Sequence, residues 1–256
     1  MTEEKTIIVE KENNVATISF ARPKHNVFNI DMMTLFCEEL ENLLQDDELK
    51  CLLLKGQGAS WCAGVDVGDH KPEMAEHMIH TFNRSLLSIE SFEIPTIAAV
   101  HGACLGGGME YALACDVVLA SEKAKFGQPE VKLGFLPPYA AIRLPKLVGP
   151  AKAIEICCAG KIYTADQGLS MGFVSQSIPA DQFDEGVNAF AAEIQASSPL
   201  ILRLNKQAVN QHLTMQTTDA LAGVSDLFLN TLMKTEDTLE GIASFYEKRR
   251  PEWKNK

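Results

Sequence analysis

Apolar and polar positions follow two different periods at the start of the chain. Over 6–20 the period is two and many residues are β-branched, with a turn at Asn13-Asn14, which predicts a β-hairpin. The period then lengthens to that of a helix, which Asn29 is placed to cap and which ends near Gln45. The apolar positions of this helix are Met32, Phe36, Leu40 and Leu43.

Short apolar runs and helices alternate through the middle of the chain. Segments 51–55 and 96–100 are continuous apolar runs of strand length, and a helix is predicted between them over 72–89. A glycine-rich turn precedes a short helix at 107–114, and a further strand is predicted at 117–120. This alternation is typical of an α/β fold, in which ββα units recur loosely.

Helical periodicity dominates after Pro150, apart from one short strand expected near Val174. The predicted helices lie at 150–158, 165–171, 180–197, 199–213, 216–234 and 237–247. We therefore divide the chain into a core over 1–190 and a helical region over 191–256. The helices of the second region carry apolar faces that a single subunit is not expected to bury, for example Leu221, Val224 and Phe228. These faces predict a homo-oligomer.

Composition narrows the class of protein. The chain has 256 residues, 46% of them hydrophobic, which is near the globular average. Its formal net charge of −11 disfavours nucleic acid or an anionic membrane as partner. The polar start, MTEEKTIIVEKENN, does not resemble a signal peptide, and no apolar run approaches the roughly 20 residues of a membrane span.

The cysteines and histidines give no sign of a disulfide framework or a metal site. Seven cysteines are an odd number without any C-x-x-C pair, which favours reduced thiols in a cytoplasmic protein. His77 and His80 lie three residues apart on a predicted helix, but no carboxylate or third histidine completes a ligand set. We expect no bound metal.

Two glycine-bearing turns follow buried strands. The first, over 61–66, reads WCAGVD, and the second, over 101–111, reads HGACLGGGMEY with three consecutive glycines at the start of a helix. Glycines allow close backbone approach, and free N–H groups at a helix start favour negative charge, so the second turn is typical of half an oxyanion hole. Close helix–strand packing is the alternative for the second turn, and an ordinary loop for the first.

Charged residues offer two further candidates. Glu110 and Glu130 lie near the glycine turns and are suited to dividing base and acid work, although a helix start and a solvated loop explain each of them without catalysis. A basic cluster at 248–250 interrupts the acidic chain and could bind a phosphate group. The alternative is that its cations complement the C-terminus of a helix.

These segments together resemble the enoyl-CoA hydratase/isomerase (crotonase) superfamily over almost the whole chain. The resemblance rests on Arg22-Pro23 with Asn26 and Asn29, WCAGVD, HGACLGGGMEYALACDVVLAS, KFGQPEVKLG and the segment 245–251. It implies a spiral of ββα units that holds an acyl-CoA site, followed by a helical trimerisation region. A trimer or dimer of trimers is expected, with CoA as part of the substrate and no resident cofactor.

The resemblance also assigns roles by position. The backbone N–H groups of Val65 and Gly107 would bind the thioester oxygen, and Glu110 and Glu130 match the two hydratase glutamates. The path of the adenine and pantetheine is assigned to Lys24, Ala63, Asp66 and Val67. Lys248 or Arg249 would contact phosphate, from the same or a neighbouring subunit.

One loop departs from the usual hydratase pattern. A glycine-rich loop usually follows the second glutamate, whereas here Pro138 stands where a glycine N–H would help to hold water, and proline has no N–H. This loop and AGVDVGDH over 63–70 resemble the cyclohexa-1,5-diene-1-carbonyl-CoA hydratases of aromatic degradation. We therefore expect a cyclic dienoyl-CoA substrate, with Tyr139 stacking on its ring. The alternative is that Tyr139 packs in the core or at a subunit interface and that Pro138 only stiffens the loop.

Other activities remain open from the sequence. Within the superfamily these are a short-chain enoyl-CoA hydratase and a Δ3,Δ2-enoyl-CoA isomerase. Some members bind RNA or act as scaffolds, which the acidic charge and the presence of both glutamates disfavour.

Overall fold

The structure is a computed structural model that describes residues 5–256, so the predicted character of residues 1–4 lies outside the described part. The strands are β1 Ile7–Glu12, β2 Val15–Phe20, β3 Cys51–Gly56, β4 Thr96–Val100, β5 Ala103–Leu105, β6 Val117–Ser121, β7 Lys125–Gly127, β8 Ile162–Thr164 and β9 Gln176–Ile178. The α-helices are α1 Ile30–Leu43, α2 Pro72–Glu90, α3 Gly107–Ala114, α4 Ala140–Val148, α5 Pro150–Ala159, α6 Ala165–Met171, α7 Phe183–Gln195, α8 Pro199–Gln211, α9 Thr217–Asp226 and α10 Glu236–Glu247.

Within residues 5–256, six strands form the larger sheet, in the order β1-β2-β3-β4-β6-β9. The hairpin is confirmed: β1 and β2 pair antiparallel, and Asn13 and Asn14 both adopt positive φ angles, as its tight turn requires. The remaining pairs are parallel, and every residue of the central strand β4 is buried. A strand buried on both faces explains the continuous apolar run at 96–100.

A second, smaller layer of strands was not predicted. β5, β7 and β8 form a three-stranded sheet, each with only three residues, too few to show an alternating pattern. Isolated bridges pair Cys62 with Cys104 and Phe28 with Val65. A segment of the larger sheet, a segment of this second layer and then a helix recur along the chain, which confirms the recurring ββα units.

The helices cover the sheets with apolar faces. In α1 the Asn29 side chain accepts a hydrogen bond from the Met32 N–H at 3.1 Å, so the predicted cap is confirmed. The main core contains a group of edge-packed aromatic rings: Phe20, Phe28, Phe36, Trp61, Phe82 and Tyr111. Trp61 and Tyr111 belong to the two glycine turns themselves, so this cluster ties both turns to the core.

The second half of the chain is mostly helical, as expected, with three differences in detail. Helix α4 was not predicted, β8 is a second short strand in addition to the expected one near Val174 (β9), and the long helix expected over 216–234 is broken into α9, a π-helical turn and a 3-10 turn. The division at residue 190 stays a prediction. That residue lies inside α7, which packs on the larger sheet through Val187.

A helix that crosses a bilayer needs roughly 20 consecutive, mostly apolar residues. Among residues 5–256 no helix is both long and apolar enough to cross a membrane.

Candidate active site

The two glycine-bearing turns lie against each other. The Cys62 N–H donates to the Ala103 carbonyl at 3.1 Å, and the Leu105 N–H donates to the Cys62 carbonyl at 3.0 Å. A β-carbon added at Gly107 would lie 2.7 Å from Cγ2 of Val65, so this position has no room for a side chain. The expectation that the two turns face each other is confirmed.

This contact leaves two backbone donors free. Val65 bridges Phe28 in parallel register, and the hydrogen bonds of that bridge run through Gly64 and Asp66, so the Val65 N–H points to the other side. Gly107 is the first residue of α3, where an N–H has no acceptor in its own helix. Within residues 5–256, neither N–H has a hydrogen-bond acceptor. Both residues line the same cavity, where these groups suit an oxyanion.

Glu110 lies in the first turn of α3 and is only 2% exposed. Its Oε1 accepts hydrogen bonds from the N–H groups of Tyr139 and Ala140, at 2.7 and 2.8 Å. These donors belong to the start of α4, whose first N–H groups lack partners within their own helix. The carboxylate is therefore fixed through one oxygen, and its other oxygen remains available.

Glu130 lies in a 3-10 turn, Pro129–Leu133, that follows β7. The adjacent Gln128 is fully buried, and in the amide orientation that satisfies its hydrogen bonding its nitrogen donates to both carboxylate oxygens, at 2.9 and 3.0 Å. Gly106 lies on the other side of the carboxylate. Glu130 is thus oriented by its neighbours and is not a free loop acid.

Burial changes the acidity of both glutamates. It raises the pKa of Glu110 to about 8, a rise that the charge of Glu130 reinforces and the two backbone N–H groups oppose. Burial also raises the pKa of Glu130 to about 7. Because the charge of one carboxylate opposes the ionisation of the other, the pair holds a single proton most often between these two pKa values.

Both glutamates open into one cavity of about 340 Å³. Five other predicted site residues line it: Ala63, Val65, Val67, Gly107 and Pro138. The rest of the wall is mostly apolar: Gly64, His70, Ala75, Met78, Ile79, Phe82, Gly106, Pro129, Leu133, Phe135 and Leu136. An apolar cavity with a few convergent polar groups is typical of a small-molecule site.

Tyr139 is not part of the cavity wall. Its ring is 7% exposed within the main core, and its hydroxyl donates to Oε1 of Glu90 at 2.6 Å. The expectation that its ring stacks on a substrate is therefore wrong, because the end of α2 supplies the phenol with an acceptor away from the cavity. Tyr139 serves the site through its backbone N–H instead.

The predicted CoA contacts outside the cavity are Lys24, Asp66, Lys248 and Arg249, and they stay predictions. Lys24 is exposed beside His25, whose carbonyl accepts from the Ala63 N–H. The Asp66 side chain accepts from the Gly68 N–H at 2.9 Å. Lys248 is exposed, while Arg249 binds Glu240 and Glu247 within this chain.

Sequence reasoning missed part of the cavity wall. Helix α2 contributes Ala75, Met78, Ile79 and Phe82, which recur at helical spacing and were recognisable as one apolar face. The N–H groups at the start of α4 had no such signal, because backbone donors leave no mark in the residue types. The side-chain amide of Gln128 had none either, because a single glutamine forms no pattern.

Fold and site together define an enzyme with a buried pair of carboxylates beside two free backbone donors. The sequence profile of the enoyl-CoA hydratase/isomerase family matches residues 10–256. A short-chain-enoyl-CoA hydratase of Clostridium acetobutylicum is 34% identical over 253 residues, with 96% of each chain covered. A cyclohexa-1,5-dienecarbonyl-CoA hydratase of Thauera aromatica is 30% identical over 254 residues, covering 97% of this chain and 96% of that protein.

The crystal structure of an enoyl-CoA hydratase from Bacillus anthracis superimposes with a TM-score of 0.92 at 27% identity, covering 98% of this chain and all of that one. The chain belongs to the enoyl-CoA hydratase/isomerase family and has the crotonase-like fold of ββα units. The two relatives named above are both hydratases, that is, hydro-lyases.

Proposed function

We propose that the protein adds water across a carbon–carbon double bond conjugated with a CoA thioester. The observation that carries this proposal is the convergence of four groups on one apolar cavity: the carboxyls of Glu110 and Glu130 and the free N–H groups of Val65 and Gly107. Hydration of a conjugated thioester needs this combination, because negative charge develops on the thioester oxygen while protons are taken up and released.

The proposed reaction conserves the single proton of the pair. As water attacks the β-carbon, one O–H bond breaks and that proton passes to the ionised carboxylate. The new C–O bond forms while the C=C π bond breaks and its electrons move onto the thioester oxygen. The protonated carboxyl delivers its proton to the α-carbon. Between these two steps, the N–H groups of Val65 and Gly107 stabilise the oxyanion. One such donor contributes about 2.7–4 kcal/mol in a well-studied oxyanion hole.

For the acyl group we propose a cyclic dienoyl-CoA. Pro138 lines the cavity, and it contributes no N–H for the placement of water. The cavity volume of about 340 Å³ and its apolar wall suit a compact, uncharged ring. The similarity to the Thauera aromatica hydratase, named for a cyclic dienoyl substrate, supports this choice.

A short-chain enoyl-CoA is the second candidate. It is favoured by the position of Tyr139, whose ring lies in the core and leaves no phenol to stack on a cyclic substrate. The relative from Clostridium acetobutylicum, named as a short-chain-enoyl-CoA hydratase, supports it as well.

For the CoA moiety we propose a path past Ala63 and Val67, which line the cavity, and along the exposed Lys24 and the half-buried Asp66. Lys248 is the proposed phosphate contact of the basic cluster, because Arg249 is held by two carboxylates. An oligomer places the C-terminal region of one subunit near another, so this contact is proposed to come from the same or a neighbouring subunit.

The substrate proposal is tested by incubating the enzyme with cyclohexa-1,5-diene-1-carbonyl-CoA and crotonyl-CoA and measuring kcat/KM from the mass gain of one water. A preference for the cyclic ester supports the first candidate. A preference for crotonyl-CoA transfers the proposal to short-chain substrates, and double-bond migration without mass gain would refute hydration. The matched variant Pro138→Ala introduces a backbone N–H at this position and should raise kcat/KM for crotonyl-CoA relative to that for the cyclic ester.

A further inference from the structure

Tyr139 forms hydrogen bonds at both of its ends. Its backbone N–H donates to Oε1 of Glu110 at 2.7 Å, and its phenol donates to Oε1 of Glu90 at 2.6 Å. Glu90 is the last residue of α2, the helix that lines the cavity with Met78 and Phe82. One residue therefore connects the end of a wall helix to a proposed catalytic carboxylate.

The bond between Tyr139 and Glu90 is of a strong kind. Burial raises the pKa of the phenol far above its usual range, and the charge of Glu90 reinforces that rise, so the hydroxyl keeps its proton and donates. A neutral donor facing a carboxylate forms a short, charge-assisted hydrogen bond. The other ionisable groups that act on this phenol are Arg143 on α4 and Cys115.

We propose that Glu90 is a positioning residue for the hydration reaction, acting through Tyr139 on Glu110; this rests on the proposed function. Glu90 holds the phenol, the phenol fixes the backbone of residue 139, and the N–H groups of residues 139 and 140 hold Oε1 of Glu110. Glu90 itself does not line the cavity.

Two consequences follow from this connection. Without the phenol bond the start of α4 relaxes and Glu110 loses its fixed orientation, and a displacement of about 1 Å in a reacting group costs about 10²-fold in rate. The N–H groups that stabilise the ionised form also bind less well, so the pKa of Glu110 rises further. A merely structural hydrogen bond would lower thermal stability and leave both properties unchanged.

The test compares Tyr139→Phe, Glu90→Ala and Glu90→Gln with the wild type. Tyr139→Phe and Glu90→Ala should each lower kcat by about 10-fold or more, with KM changed by less than about 2-fold. The double variant that combines Tyr139→Phe with Glu90→Ala should be no slower than either single variant, because each substitution removes the same hydrogen bond. Glu90→Gln keeps an acceptor and should restore most of the rate, and Glu93→Ala is the control for losing an exposed acid nearby.

A second readout does not depend on activity. The infrared band of protonated Glu110 is identified as the carboxyl band that is lost in Glu110→Gln. The pH midpoint at which this band disappears should be higher in Tyr139→Phe and Glu90→Ala than in the wild type. A wild-type midpoint in both variants, or a wild-type kcat in both, would overturn the positioning role. An inactive wild type would instead refute the proposed function, and the infrared shift alone would then decide the role of Glu90.

Discussion

Gly106 and Glu130 are in direct contact: a β-carbon at residue 106 would lie 2.7 Å from Oε1 of the carboxylate. Gly106 also has φ 55° and ψ −133°, a conformation that side chains disfavour. The turn that opens α3 therefore needs glycine at position 106 for two reasons: the backbone conformation disfavours a side chain, and a side chain would collide with the proposed catalytic group.

Replacing Gly106 by alanine should displace the Glu130 carboxylate. We expect kcat/KM to fall about 10²-fold, the size of the effect of misplacing a reacting group by about 1 Å. Stability should fall by roughly 1–2 kcal/mol from the positive φ angle. Gly58→Ala is the control, because Gly58 has φ 76° but no heavy atom near its would-be β-carbon, so it carries the strain without the collision. Equal activity in the two variants would contradict the contact.

The pH dependence of kcat/KM follows from the shared proton. Burial raises the pKa of Glu130 to about 7 and that of Glu110 to about 8, so the singly protonated pair is most populated between these values. We expect a bell-shaped profile that falls below about pH 7 and above about pH 8. A flat profile from pH 5 to pH 10, about two units beyond each limb, would contradict acid–base work by this pair.

Glu110 also links stability to pH. Burial raises its pKa from 4.5 to about 8, so between these values the folded protein holds a proton that the unfolded chain releases. The free energy of unfolding contributed by this group therefore falls as pH rises from about 4.5 to about 8. Glu110→Gln cannot ionise, so its Tm should fall less than that of the wild type over this range. Parallel Tm curves for the two proteins would contradict the raised pKa.

The C-terminal helices expose apolar side chains that predict self-association. Leu221, Leu239 and Phe245 are 65%, 58% and 78% exposed in the single chain. Light scattering at micromolar concentration should give a multiple of the 28.1 kDa chain mass. Phe245→Glu should lower that mass, whereas Leu87→Glu, on α2 outside this region, should not. A wild-type monomer would contradict the prediction.

The sequence predicted those parts of the fold in which a long pattern repeats. The hairpin, α1 with its Asn29 cap, the buried strand β4 and the glycine turn before α3 all followed from periodicity or from residue types with special backbone preferences. The three strands of the small sheet were too short for a pattern. Helix α4 was missed because it begins without a side-chain cap and contains Pro145.

The site was predictable where the chemistry lies in the side chain. Glu110 and Glu130 were named from the sequence, and the structure brings them to the same cavity as Val65 and Gly107. The ring of Tyr139 was assigned to the wrong surface, because an aromatic residue beside a site can equally face the core. Its partner Glu90 lies 49 positions earlier in the chain, a separation that no local pattern reveals.

The most direct test measures water addition by the wild type, Glu110→Gln and Glu130→Gln. Each amide keeps the shape of the carboxyl group but transfers no proton, so each variant should fold and lose about 10²–10⁴-fold in turnover on whichever ester the wild type hydrates. Turnover is measured as the mass gain of one water over time, after thermal melting has shown that all three proteins are folded. Near-wild-type turnover in either variant would contradict the central claim that Glu110 and Glu130 together carry out the hydration.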